Sequence, residues 1–186
     1  MLPDVRPQMP DALRVLVEEF PRTGWDRPSR FQALIQFWLQ KHMAFRHLLR
    51  TLQTDCQGVL DGANPDKFKR ALQQNASALI NELHGHHVIE DVSYFPVLAK
   101  ADPIFAKGLK ILDKDHHALD GQLHSIAKAA NAALHGPKTR GDVRTAAGCL
   151  EALFSGISPH LERHFIDEEE LVVPVLLKHE PAALAY

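Results

Sequence analysis

Cysteine is nearly missing from this chain of 186 residues: Cys56 and Cys149 are its only two. That is too few for a disulfide framework, and their separation fits no metal-finger spacing. Both are expected to be reduced packing residues, with a redox pair near one tip of a bundle as the alternative. Long apolar runs are missing too, which argues against a membrane span or a secretory signal core and predicts a cytoplasmic protein. The formal net charge is only −2 with no dense Lys/Arg tract, so neither nucleic acid nor an acidic membrane is an expected partner. No stretch alternates with a two-residue period for long enough to make a sheet, and no Ser/His/Asp or Cys/His nucleophile arrangement is evident.

What is present is enough for one globular domain with a substantial core: 45% of residues are apolar and 24% charged. Residues 1–28 hold Pro3, Pro7, Pro10, Pro21, Gly24 and Pro28 around one short apolar segment, Asp11 to Phe20, and read as an arm lying on the domain. From Ser29 the pattern changes to long amphipathic runs, broken at Gly58 to Asn64, at Asp102-Pro103 and at Gly136 to Gly141. Four helices are predicted, at about 29–57, 65–100, 103–135 and 142–179, leaving 180–186 as a tail. Short connections make sequential helices antiparallel neighbours, so the expected fold is all-α, an up-down antiparallel four-helix bundle with an N-terminal arm. Pro159 should kink the last helix, and Pro96 and Pro174 should kink or end theirs.

Histidine is abundant, at twelve residues, and two stretches containing it repeat each other. His86-His87-Val88-Ile89-Glu90 precedes Pro96-Val97-Leu98 and Lys100; His164-Phe165-Ile166-Asp167-Glu168 precedes Pro174-Val175-Leu176 and Lys178. Each reads His-x3-Glu-x5-Pro-Val-Leu-x-Lys, and on a helix the i,i+4 offset puts imidazole and carboxylate on one face. The apolar stripes turn that face inward. His42 shares its stripe with Phe31, Ile35, Leu39, Phe45, Leu49 and Leu52, and His86 shares one with Leu72, Leu79, Leu83, Glu90 and Val97. His116 lies with Leu109, Leu112, Leu119, Leu123 and Ile126; His164 follows Leu150, Leu153, Ile157 and Leu161 and precedes Glu168, Leu171 and Val175.

Counting along antiparallel helices at about 1.5 Å per residue brings the four histidines to within about 3 Å of one level, with Glu90 and Glu168 about 6 Å below. Burying four imidazoles and two carboxylates together without a cation would cost several kcal/mol per unpaired charge. His42, His86, Glu90, His116, His164 and Glu168 are therefore the candidate metal ligands. His47, His84, His87, His117, His124, His135 and His179 read as surface, rim or supporting groups. His160, one turn from His164, is either a further ligand or a cap on the cavity. Imidazole with carboxylate suits iron best, with manganese and zinc as the alternatives.

A histidine on the first helix, His-x3-Glu on the second, a histidine on the third and His-x3-Glu on the fourth resembles the hemerythrin-like HHE cation-binding family over about residues 29–179. The resemblance implies a four-helix bundle around two non-haem Fe ions, oxo- or hydroxo-bridged, held at the same six positions. The oxygen-carrying hemerythrins use five histidines, with a pair four apart on the third helix and His-x4-Asp on the fourth. Here Asp120 stands four after His116, and Leu112 four before it. That departure favours sensing, buffering or detoxification of O2, H2O2 or NO over reversible oxygen transport, with Asp120 or His160 as sources of a missing ligand. As an enzyme the protein would disproportionate peroxide or reduce O2 or NO. The alternatives are iron storage and homeostasis, or a helical interaction module with a structural metal.

Overall fold

The structure is a computed structural model that describes residues 5–26, 28–136 and 139–184. The first four residues of the predicted arm, Arg27, the middle of the 136–141 break and the last two residues of the tail lie outside the described residues. All regular structure among the described residues is helical: α1 (Val15–Glu19), α2 (Gln32–Leu60), α3 (Pro65–Ile89), α4 (Phe95–Ala101), α5 (Ala106–His135) and α6 (Arg140–His179), with short 3-10 turns in the arm and tail. None of these helices is long and apolar enough to cross a membrane.

Local chemistry sets the helix ends. Asn64 caps α3 by accepting from the Asp66 and Lys67 N–H groups, and Pro65 follows where no N–H is needed. The turn before it holds Gly62 at φ 101°, in the region that favours glycine. Thr139 and Asp142 form a reciprocal capping box on α6.

Two elements differ from the sequence expectation. The predicted 65–100 helix is three pieces: α3, a π-helical turn over Glu90–Tyr94, and α4. Pro96 falls in the first turn of α4, where its lost N–H costs nothing, so the helix restarts at the proline. By contrast α6 runs through Pro159 and does not end at Pro174. In the arm, the expected Asp11–Phe20 helix is a 3-10 turn at Asp11–Leu13 followed by α1.

Helix α2 packs on α3 and α6, and α5 packs on the same two. The interior is two apolar clusters. One contains Phe45, Leu49, Leu72, Leu83, Leu119, Leu123, Leu161 and Phe165; the other contains Ile35, Trp38, Phe95, Leu98, Leu109, Leu112 and Leu171, together with Met9, Leu13, Leu16 and Trp25 of the arm. On every long helix polar residues mark the passage from one to the other: His42 lies between Trp38 and Phe45, His86, His87 and Glu90 between Leu83 and Phe95, His116 between Leu112 and Leu119, and His164, Asp167 and Glu168 between Leu161 and Leu171, with Phe165 of the first cluster beside His164.

Candidate metal centre

Between the clusters the side chains form two groups. His42, His86, Glu90 and Glu168 bring one donor atom each to within 4.8 Å of one another, and so do His87, His116 and His164. The carboxylates lie between the groups. Glu168 Oε2 is 3.3 Å from His42 Nε2 and 3.5 Å from His164 Nε2. Glu90 stands 2.9 Å from His86 Nε2 through one oxygen and 3.6 Å from His116 Nε2 through the other. All six residues singled out in the sequence are thus in this layer.

A seventh residue, His87, belongs to it as well, where the sequence predicts a surface, rim or supporting group. It is 1% exposed, and its ring stacks on His116 with centroids 4.1 Å apart and 7° between planes. It lies four residues after Leu83 and three before Glu90, both on the inward stripe, so its spacing qualified it as well as that of His86. An inward arc of 100° or more admits two consecutive residues, so spacing alone does not select between His86 and His87. Asp120, offered as a ligand, is instead at the surface 3.1 Å from His84 Nδ1. His160 bonds Gln122 at 2.8 Å, beside a cavity of about 280 Å³ that His164 also lines.

Apart from those of His42 and His86, the donor atoms lack hydrogen-bond partners. Both nitrogens of His87, both oxygens of Glu90 and Glu168, Nε2 of His116 and both nitrogens of His164 are buried with no hydrogen-bond partner, a concentration of orphaned groups that an apolar core does not tolerate. The spacings suit a cation: with bonds of about 2.1 Å, two donors at right angles stand about 3.0 Å apart. His42 Nε2 and His86 Nε2 face each other at 3.1 Å. Each group could hold a metal ion, and Glu90 and Glu168 approach histidines of both.

Electrostatics favours the ligating form of His86, His87, His116 and Glu168 and the protonated form of Glu90 and His42. Burial holds His86 down at about 3 and His116 at about 4, and lowers His87 well below its ordinary value, so these imidazoles are neutral and their lone pairs free. Burial and the neighbouring Glu168 raise Glu90 far above the usual carboxylate range, whereas His42 and His164 outweigh burial and keep Glu168 well below it. His42 is itself raised, because Glu168 and Glu169 outweigh its burial.

Outer carboxylates support the far nitrogens. Glu169 meets His42 Nδ1 at 2.9 Å, Asp91 meets His116 Nδ1 at 2.9 Å, and Asp115 stands 3.6 Å from His164 Nδ1, slightly beyond hydrogen-bond length. Such partners fix ring orientation and raise ligand basicity. Arg46 and Arg22 hold Glu169 in turn, at 3.1 and 2.7 Å, and with His42 they keep it down at about 2 against the effect of burial. Cys56 is buried and Cys149 exposed, and both are free thiols.

No curated protein and no solved structure matches the chain. A family model described as the hemerythrin HHE cation binding domain matches residues 33–162, most of the chain, ending just before His164 and Glu168, which the fold brings to the same layer. The chain belongs to the hemerythrin HHE cation-binding domain family.

Proposed function

We propose that this protein holds two non-haem iron ions between a two-histidine half (His42, His86) and a three-histidine half (His87, His116, His164), with Glu90 and Glu168 shared. On this reading it binds O2, H2O2 or NO for sensing, buffering or detoxification, in the cytoplasm. The observation that carries it is the layer of orphaned, buried nitrogen and oxygen donors at metal-ligand spacing. Imidazole with carboxylate favours iron among the borderline metals. The order of the two apolar clusters along the chain reverses from each long helix to the next, which supports an up-and-down antiparallel bundle.

An iron pair supplies electron exchange with a small oxidant. The protein supplies geometry, exclusion of water and access. With Glu90 and Glu168 counted in both halves, the two-histidine half would have four protein donors against five, which makes it the natural place for an outside ligand. A cleft of about 520 Å³ reaches this half, lined by Leu34, Phe37, Trp38, His86, Glu90 and Tyr94. Its mostly apolar wall suits small, weakly hydrated molecules better than ions. On this reading Glu90 and Glu168 would hold the ions rather than act as general acids.

The test is metal analysis with optical spectroscopy of protein purified in air, then reduced and exposed separately to O2, H2O2 and NO. About two irons per chain, with near-ultraviolet bands that bleach on reduction and return with an oxidant, are expected. Folded protein that takes up no iron would refute the reading. Iron released on reduction without reaction would favour storage.

A further inference from the structure

The arm lies outside the matched family segment, yet its arginines reach the carboxylates behind the metal-site histidines. Arg6 gives Nε to Asp167 at 2.7 Å and a terminal nitrogen to Asp115 at 2.8 Å, the second terminal nitrogen meeting the other Asp115 oxygen. Asp115 in turn faces His164 Nδ1 at 3.6 Å. The arm is fixed there by two further bonds: the Met9 N–H donates to the fully buried Asp167, and Arg163 donates to the Pro7 carbonyl.

We propose that Arg6 is a positioning residue for the His87/His116/His164 half of the metal centre, acting through Asp115. The inference rests on the two-metal reading above. A guanidinium fork that takes both oxygens of a carboxylate fixes its plane, which a single point charge does not. The side chain of Asp115 is 23% exposed, so without Arg6 it is free to turn to water and leave His164 without backing. Removing such an outer partner typically costs 10–100-fold in metal affinity.

The other half is built with a spare. Glu169, behind His42, is held by Arg22 of the arm and also by Arg46 of α2. Losing the arm's contact there leaves one guanidinium in place. Among the described residues, loss of Arg6 leaves none on Asp115. The arm thus controls the two halves unequally, and the three-histidine half depends on it more.

The experiment uses the full chain, stripped of metal and titrated with zinc, which is redox-silent. Ring ¹⁵N signals of His42 and His164 report each half, and chelator competition gives the affinities. In Arg6→Gln, zinc at His164 should weaken by about 10–100-fold, while zinc at His42 stays within about twofold. Arg6→Lys, which keeps the charge without the fork, should fall between, and Arg22→Gln should change either half by less than Arg6→Gln changes His164. Unchanged affinity at His164 would overturn the proposal. So would equal weakening at both halves in step with a lower melting temperature of the metal-free protein, since the arm would then merely brace the fold. A wild-type chain that binds no zinc overturns the metal reading, and this proposal with it; a variant defect seen only against metal-competent wild type concerns Arg6 alone.

Discussion

Replacing His87 with leucine should have opposite effects on the metal-free and metal-loaded protein. In the metal-free chain His87 is 1% exposed, with both ring nitrogens unpartnered, so one donor and one acceptor are buried without compensation. An unsatisfied buried polar group costs about 1–3 kcal/mol, and an apolar side chain of similar volume removes that cost. The lost stacking on His116 offsets a fraction of the gain. For a chain of this size each kcal/mol shifts the melting temperature by about 2–4 °C, so metal-free His87→Leu should melt about 2–12 °C above wild type. Loaded with metal, the order should reverse, because the three-histidine half has lost a ligand and its ion should leave first. Circular dichroism melts with and without metal, alongside metal analysis, read both quantities. A metal-free variant that melts lower, with metal content unchanged, would make His87 a packing residue and refute the reasoning.

Glu168→Gln should weaken both ions by more than the 10–100-fold expected of an outer partner, because Glu168 alone stands within 3.5 Å of a histidine nitrogen in each half; metal analysis after dialysis reads it. Metal at about 100 times its dissociation constant should stabilise wild type by about 2.7 kcal/mol, a rise of about 5–11 °C that a chelator abolishes. Burial raises the Cys56 thiol to about 12, so at pH 8 only about one molecule in ten thousand carries the thiolate there, and alkylation of native protein should label Cys149 alone. The sign for stability follows from the same shift: the unfolded thiol ionises near pH 9, the folded one resists, and this contribution is lost as pH rises above 9. Gly108→Leu should cost about 1–3 kcal/mol in a chemical denaturation curve, since even a Cβ there would stand 2.8 Å from Leu171 and 3.2 Å from Leu13 of the arm.

The long helices were legible because a buried face repeats every three to four residues, and His42, His116, His164, Glu90 and Glu168 interrupt that repeat where leucine would otherwise stand. The π turn was not, since an extra residue in the hydrogen-bond register leaves no mark on composition; only Pro96 hinted at a discontinuity. The acids flanking Glu168 carry no inward signal of their own, yet Asp167 is fully buried and Glu169 is 5% exposed. What draws them in is a set of partners far away in sequence: Arg6 lies 161 residues from Asp167, and Arg22 lies 147 from Glu169. Local periodicity carries no information about pairs so distant. Asp91 and Asp115 were hidden for the same reason, because a charged residue beside an inward histidine reads as its solvent-facing neighbour until the fold turns it toward a ring.

The polar layer that divides the interior also divides its cooperativity. Without ions it is a seam of unmatched dipoles between two apolar clusters, each with its own packing, so the end carrying the arm can open while the other stays closed. Ions ligated from all four long helices would bind the two ends into one unfolding unit. Amide exchange along α2 should then show two protection levels in the metal-free chain, changing at His42, and a single level once metal is bound.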